Sequence, residues 1–511
     1  MKTFAAIDVG SFELAMKIYQ FVGKNNMKEI DHVGRHLDLG KDTYSDGKIS
    51  AEKMDELCRT LKEFSEIMKA YKVEDYQAYG TSAVRETENT TIVLDQIAQR
   101  TGIHVDVLSN SEQRFLDYKS VASKGEIFRK IIEERTAIVD IGGGSIQLSL
   151  FDNDALIATQ NLRLGVLRVQ DRLHHLNVGS SQMESLVDEM ASAQLATFKK
   201  MYLKDSAIKN IIIVDDYLST WAVKNAARDA SKTIMDVGEY EKLLTLLRTN
   251  SQMQAARLLD IPEEKVPLVY LSAIILRRIV LMMGAEKIWA PGVTLCDGIA
   301  YEYAEKNKLI SGEHDFEKDI LACASNISKR YMGSRKRAET LEKISLTIFD
   351  SMKKIHGMGK RERLYLRLAA LLHDCGKYIT MVNLGEASYN IVMATEIIGL
   401  SHKEREIVAN VVRFNHSPFK YYSQITNSGL DRQAYLVVAK LTAILRTANS
   451  LDRSHKQKLQ GVKAQLKENQ LILTVNTQED ITLEKGFFEE RAAFFQEVFS
   501  VYPILKQKKQ F

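Results

Sequence analysis

Two short segments carry the residues best suited to chemistry. Residues 4–10 read F-A-A-I-D-V-G, and residues 136–144 read T-A-I-V-D-I-G-G-G. Each is an apolar, strand-like run ending in an aspartate and then glycine. Each leads into a second strand-like run (Leu14–Phe21, Ile146–Phe151) rather than a helix. Glycine lets main-chain N–H groups approach an anion closely, and the adjacent carboxylate can hold a metal ion or a water. Three consecutive glycines, Gly142, Gly143 and Gly144, cost backbone entropy that a simple hairpin does not require. A loop wrapped around a phosphate gains from all three. Asp8-Val9-Gly10-Ser11 taken alone reads as a simple strand-end turn. Neither segment is a P-loop, because G-K-[ST] is missing, and neither has a G-x-G-x-x-G opening a helix. The pair predicts two related half-domains facing one cleft, with phosphate chemistry between them.

Two further elements belong to the same chemistry. Gly80-Thr81-Ser82-Ala83-Val84-Arg85 follows a strand-like run, so Thr81, Ser82 and the planar fork of Arg85 are candidates for gripping phosphate oxygens. Glu112 follows Ser109-Asn110-Ser111 at a helix start. It reads either as a capping carboxylate favoured by the helix dipole or as a general base that activates water.

The positioning elements alternate along the first 305 residues. Ala51–Tyr71 has Met54, Leu57, Leu61, Phe64 and Met68 at helical spacing. Strands are expected at 76–79, 103–108, 137–141, 146–151 and 211–214, and helices at 180–202 and 267–283. From about 306 to 455 helical periodicity dominates. Leu471–Val475 and Ile481–Glu484 read as a hairpin around 477–480, followed by a helix at 488–499 and a frayed basic tail at 506–509.

With 511 residues, three or four domains are expected. The 70 basic and 66 acidic side chains leave a net charge of +4, too little for bulk nucleic-acid binding. Basic clusters do occur at Lys329, Arg330, Arg335, Lys336 and Arg337, and at Lys353, Lys354, Lys360, Arg361 and Arg363. They read as solvated helix faces or as a track for a polyanion. Four scattered cysteines without C-x-x-C spacing argue against disulfides and a zinc-thiolate site and fit a reducing cytoplasm. Met1–Gly10 runs into a strand pattern, so no signal peptide is expected, and no apolar run long enough to span a membrane is expected.

Taken together, A-I-D-V-G-S, T-S-A-V-R-E-T-E-N, L-S-N-S-E-Q, V-D-I-G-G-G-S-I-Q-L and L-R-L-G-V-L-R resemble the Ppx/GppA phosphatases, which are exopolyphosphatases and guanosine pentaphosphate phosphohydrolases. A-A-L-L-H-D-C-G-K and L-R-T-A-N-S-L-D-R-S look like that family's HD-like helical domain. The resemblance implies an α/β fold of two actin-like (ASKHA, ribonuclease H-like) domains, 1–124 and 125–305. An all-α HD-like domain at 306–455 and a small α+β domain at 456–511 would follow. It implies water attack on a terminal phosphate, with Glu112 as base, Asp140 positioning magnesium or water, and Arg85 on phosphate. Asp8, Gly10, Ser11, Thr81, Ser82, Gly142, Gly143, Gly144, Ser145 and Arg168 would bind phosphate, and Asp8 and Asp140 would hold Mg2+. The implied partner is inorganic polyphosphate or a guanosine polyphosphate nucleotide. A cytoplasmic location and a homodimer are expected, without membrane or sequence-specific nucleic acid.

The chain departs from this pattern near the site. Phe12, Glu13 and Ala15 stand where the family has Asn-Ser and then Arg, and Gln147 replaces a glutamate. Asp215-Asp216 replaces a Gly-Gly, and Cys296-Asp297-Gly298 replaces Arg-Glu-Gly. In the helical part His373-Asp374 is kept, but Arg337 and Asn449 stand for a histidine and an aspartate, with Asp452 near, which argues against a second metal site. His356 and His416 read as ordinary helix residues. Two functions therefore compete: a hydrolase of terminal phosphoanhydrides, and a weakened relative that binds polyphosphate or (p)ppGpp. An actin-like ATPase or kinase is a third reading, poorly matched by T-S-A-V-R and Asp215-Asp216.

Overall fold

The computed structural model describes residues 2–177, 179–203, 206–215, 217–218, 234–312, 314–425 and 429–508. The chain divides into two compact units, Met1–Phe316 and Glu317–Phe511.

The first unit holds two mixed sheets of matching topology. In one, strands β1 (Lys2–Val9), β2 (Glu13–Phe21), β3 (Met27–His36), β4 (Asp75–Gly80) and β5 (Val105–Val107) lie in the order β3-β2-β1-β4-β5. In the other, β6 (Thr136–Ile141), β7 (Ile146–Asp152), β8 (Ala155–Leu162), β9 (Asn210–Asp215), β10 (Ile234–Asp236) and β11 (Lys287–Trp289) lie in the order β10-β11-β9-β6-β7-β8. Each begins as an antiparallel three-strand meander and continues through two strands parallel to its first strand, to which the second sheet adds β10, antiparallel to β11. This is the duplicated actin-like pattern. The central strands β1 and β6 are covered on both faces, which explains their nearly unbroken apolar runs.

Helices complete the layers. Ser50 caps helix Ala51–Ala70 by accepting the Lys53 N–H, and the predicted stripe of Met54, Leu57, Leu61, Phe64 and Met68 is buried. Helix Val266–Met283 lies in the core of the second sheet. By length and composition alone the 21-residue stretch 263–283 is apolar enough to cross a membrane, contrary to the expectation from sequence. Two-thirds of its most apolar window is nevertheless buried inside the unit.

Helix Leu295–Lys306 follows the second sheet in sequence but packs on the first, where Phe4, Phe21 and Leu116 share a core with Ile299 and Tyr303. Asp297 anchors it. Its carboxylate accepts from Lys17 Nζ (3.0 Å), Tyr19 Oη (2.9 Å) and the Thr294 N–H (2.7 Å). Gly298 is required there, because a Cβ would lie 2.0 Å from the Leu116 carbonyl oxygen. The family departure Cys296-Asp297-Gly298 is thus a structural anchor.

The second unit is helical from Phe316–Arg330 through Arg432–Ser450. It ends in a three-strand sheet of β12 (Gln460–Lys467), β13 (Gln470–Asn476) and β14 (Tyr502–Lys508), ordered β12-β13-β14. Ile481–Glu484 is not the second arm of a hairpin but the start of helix Thr482–Phe499, opened by Thr482 bonding to the Asp480 carboxylate. The antiparallel partner of β13 is β12, and β14 pairs parallel to it through Lys508. The basic tail is therefore a paired strand up to Lys508, while Lys509 lies outside the described residues. The reason is topological: a parallel pair needs a long crossover, and I-T-L-E alternates over too few residues to tell strand from helix.

The Asp297 anchor makes a measurable prediction. Burial alone would raise its carboxyl, but Lys17 and the Thr294 N–H hold it below its ordinary value of 3.8. Such a group stabilises the fold above that pH and loses its contribution as pH falls through the lowered value. Asp297→Asn should cost about 2 kcal/mol at neutral pH and flatten the acid limb below about pH 4. Urea unfolding measured against pH checks this; superimposable profiles for both proteins would contradict it.

Candidate active site

The β6–β7 turn, Gly142–Ser145, is the centre of the site. Gly142 N–H closes it by donating to the Ser145 carbonyl (3.0 Å). The next three carbonyls all turn to the start of helix Val166–His175. Gly142 C=O accepts from Val166 N–H (3.0 Å), and Gly143 C=O from the N–H groups of Leu167 (3.0 Å) and Arg168 (3.2 Å). Gly144 C=O accepts from Arg168 Nε (3.0 Å). The first N–H groups of a helix lack intrahelical acceptors, and the turn supplies them. In a trans peptide the N–H points opposite to the preceding carbonyl. The N–H groups of Gly143, Gly144 and Ser145 are therefore all turned away from the helix. All three residues are buried, and among the described residues none of these N–H groups donates to a protein acceptor. Successive free N–H groups on one side of a loop form an anion-binding nest.

The glycines also have a packing reason. A Cβ on Gly143 would lie 3.1 Å from Ser11 Cβ and 2.9 Å from Leu167, and one on Gly144 would lie 2.4 Å from Tyr44 Oη and 3.0 Å from Ser82 Oγ. The β1–β2 turn and the T-S-A-V-R segment thus meet the glycine turn directly. Their hydroxyls form a closed triangle: Ser11 Oγ to Ser82 Oγ at 2.8 Å, Ser11 Oγ to Tyr44 Oη at 3.0 Å, and Tyr44 Oη donating to Ser82 Oγ at 2.9 Å. Thr81 secures the segment through its N–H on the Val9 carbonyl (3.2 Å). Arg168 lies 4.7 Å from the Tyr44 ring centroid and pairs with Glu86 Oε2 at 2.6 Å. Tyr44 lies in no motif, and Glu86, although inside T-S-A-V-R-E-T-E-N, shows its role only through its pairing with the distant Arg168.

Helix Asn110–Ala122 bridges the two sheets. Glu112 sits in a capping box, with Oε2 accepting the Ser109 N–H (3.0 Å) while Ser109 Oγ accepts the Glu112 N–H (3.3 Å). Arg85 Nη1 donates to the Leu108 carbonyl (2.7 Å) and to the amide oxygen of Gln113 (3.3 Å). Asp140 pairs in register with Gln147 across β6 and β7. Gln147 Oε1 accepts from Arg114 Nε (2.8 Å), whose Nη1 donates to Thr159 (2.6 Å). Gln113 and Arg114 carry no signal in a single sequence beyond adjacency to Glu112.

Asp8 occupies in β1 the place that Asp140 has in β6, paired to Ala15 and Tyr79. The departures after Gly10 reach the second half of the unit. Glu13 pairs with Lys265 at the start of helix 266–283, and Phe12 packs on His36 and Tyr217. The side chain of Asp215 and the whole of Asp216 lie outside the described residues. A larger cavity, about 1000 Å³ and lined by Leu173, His174, Glu184, Arg248 and Tyr270, contains none of the expected site residues. Its charged pair, Glu184 and Arg248, is mutually satisfied.

The chain matches the model of the Ppx/GppA phosphatase family over residues 18–307 and that of Ppx/GppA phosphatase domain III over residues 321–491. The chain belongs to the Ppx/GppA phosphatase family. It is 22% identical over 466 residues to guanosine-5'-triphosphate,3'-diphosphate pyrophosphatase of Vibrio atlanticus, covering 86% of each chain. It is 25% identical over 281 residues to exopolyphosphatase 1 of Mycobacterium leprae, covering 53% of this chain and 80% of that one. Its fold resembles a solved exopolyphosphatase from Cytophaga hutchinsonii, with a TM-score of 0.53 at 20% identity over 61% of this chain and all of the other.

In this Ppx/GppA member the His373-Asp374 pair of domain III is buried around a guanidinium. Arg337, itself buried, donates from Nη2 to Asn449 Oδ1 (2.7 Å), with Nη1 3.2 Å from His455 Nδ1 and Nε 3.8 Å from Asp452. Burial pushes the imidazoles of His373 and His416 down, the latter to about 4. An arginine inside the cluster supplies the positive charge that Asp374 and Asp452 require, and it repels a metal ion. Among the described residues no three His, Cys, Asp or Glu side chains converge as a metal site. His356 is structural, with Nε2 donating to the Phe349 carbonyl (3.0 Å). In the basic clusters Arg335, Arg361 and Arg363 are paired with Glu339, Glu404 and Asp350, which weakens the polyanion-track reading.

Gly144→Ala should cost about 1–3 kcal/mol through overpacking against the hydroxyl triangle, and Tyr44→Phe should recover part of that loss. A double-mutant thermal-unfolding cycle reads the coupling; strict additivity would mean that Tyr44 does not set the glycine requirement.

Proposed function

We propose that the first unit hydrolyses the terminal phosphoanhydride of inorganic polyphosphate, or of a pppGpp-type nucleotide, by direct attack of water. The observation that carries this reading is the set of three unspent N–H groups at Gly143, Gly144 and Ser145, met by the hydroxyls of Ser11 and Ser82. A terminal phosphoryl group in this nest would have its equatorial oxygens held by main-chain dipoles, with Arg85 and Arg168 neutralising charge. Phosphoryl transfer needs little covalent chemistry beyond positioning and charge stabilisation.

Glu112 is the candidate base. Its Oε2 holds the helix cap, and among the described residues Oε1 has no protein donor, so one oxygen can orient water while the other keeps the side chain fixed. Asp8 and Asp140 are the carboxylates that would hold a magnesium ion, which takes one or two carboxylates and completes its shell with phosphate oxygens and water. When bound, such an ion supplies charge neutralisation of the phosphate chain.

The binding-protein reading is favoured by a separate observation. Gln113 and Gln147 present neutral amide oxygens to Arg85 and Arg114, and Glu86 already occupies Arg168. A site of this kind would hold phosphate and turn it over slowly.

Phosphate release from long-chain polyphosphate with magnesium decides between them. Activity in the native protein and a loss of about 10²-fold or more in Glu112→Gln support hydrolysis with Glu112 as base. Glutamine preserves the capping box, so that loss would report charge rather than unfolding. No release with any divalent metal would leave the binding reading, and full activity in Glu112→Gln would remove Glu112 as base.

A further inference from the structure

The helix that carries Glu112 also drives a cation into the second sheet. Arg114, two residues further on, is 3% exposed, and the sheet face it reaches holds buried polar groups: Gln147, Ser149 and Thr159. Its Nε donates to Gln147 Oε1 (2.8 Å) and its Nη1 to Thr159 Oγ1 (2.6 Å), which lies 3.1 Å from Ser149 Oγ. One planar fork therefore spans β7 and β8, and its orientation is fixed from both strands.

Asp140 is on the same face. It stands directly opposite Gln147 in the antiparallel β6–β7 pair, and opposed side chains of such a pair share a face with their Cβ atoms about 5 Å apart. The guanidinium is thus bound to the immediate cross-strand neighbour of the carboxylate that would hold magnesium.

Two opposed carboxylates, as an aspartate at 140 and a glutamate at 147 would be, repel each other until a cation lies between them. This chain has the other arrangement. Gln147 is neutral, and Arg114 brings a permanent positive charge into a buried setting where charges are little screened. One carboxylate beside one guanidinium is already balanced, and a free divalent cation would add two positive charges to it. Among the described residues no three His, Cys, Asp or Glu side chains converge as a ready metal cage. Magnesium already bound by phosphate is a different ligand. Its phosphate oxygens make the complex anionic, and magnesium is commonly held by one or two carboxylates together with substrate phosphates.

We propose that Arg114 is a positioning residue that excludes free divalent metal from the Asp140 site, so that the ion enters only as its phosphate complex. It acts by fixing Gln147 as a neutral amide and by its own charge. The proposal rests on the reading of Asp140 as a magnesium carboxylate.

Equilibrium dialysis of the full chain against Mn2+, a divalent probe suited to the same oxygen ligands, counts bound ion without any turnover. Native protein should retain no stoichiometric Mn2+ by itself. It should retain Mn2+ in the presence of imidodiphosphate, a pyrophosphate analogue whose P–N–P link resists hydrolysis, and Asp140→Asn should remove that uptake. Arg114→Met/Gln147→Glu should bind free Mn2+ about tenfold or more tightly than native protein, and adding Asp140→Asn should abolish the gain. Gln147→Glu alone should gain little, because Arg114 pairs with the introduced carboxylate. Arg114→Lys/Gln147→Glu, which keeps the charge, should behave in the same way. Circular dichroism and melting temperature check each fold, and the native measurement decides by itself if the double variant does not fold. A stoichiometric site for free Mn2+ in native protein that Asp140→Asn removes would overturn the proposal. Equal Mn2+ affinity in Gln147→Glu and Arg114→Met/Gln147→Glu would do so too. No uptake even with imidodiphosphate would remove the magnesium reading and this proposal with it. Failure to release phosphate from polyphosphate would count against hydrolysis alone.

Discussion

Three carbonyl groups of one glycine turn hold the start of helix Val166–His175, and the geometry of the first unit's site follows from that contact. Because peptide groups are rigid planes, giving the carbonyls to the helix turns three N–H groups the other way. The helix satisfies its orphan donors, and the turn acquires an anion nest. Gly165 shows how close the approach is: a Cβ there would lie 2.3 Å from the Gly143 carbonyl oxygen. Side chains at 143, 144 or 165 would break the contact, so packing and phosphate affinity impose the same residue type.

The duplicated halves use their equivalent turns differently. The β6–β7 turn exposes main-chain donors. The β1–β2 turn instead supplies the Ser11 hydroxyl and then commits Phe12 and Glu13 to the second half, through Tyr217 and Lys265. Arg168 links the two by bonding Gly144 and pairing with Glu86. Substitutions that look like erosion of a phosphate turn therefore join the halves. In the second unit the same economy appears in another form, where the Arg337 charge stands inside a histidine–aspartate cluster in place of an ion.

Much of the fold was legible because period-2 and period-3.6 patterns are long in the first unit, as in β1, β6 and helix Ala51–Ala70. The reading failed at Ile481–Glu484, where four alternating residues begin a helix, and at the basic tail, whose pairing with β13 depends on a distant segment. At the site, glycine, aspartate and arginine positions were legible from their motifs. Tyr44, Glu86 and Gln113 were not, because their roles arise from contacts with residues distant in the chain, such as Ser11, Arg168 and Arg85, that no local spacing encodes. The packing role of Gly143 and Gly144 was hidden for the same reason.

The central claim is that the free N–H groups of the β6–β7 turn receive phosphate. Hydrogen–deuterium exchange of the full chain, with and without tripolyphosphate and magnesium, measures those amides directly. The account predicts slower exchange in peptides spanning 140–146, accompanied by 8–13 and 81–86. Saturable binding with unchanged exchange across 140–146 would contradict it.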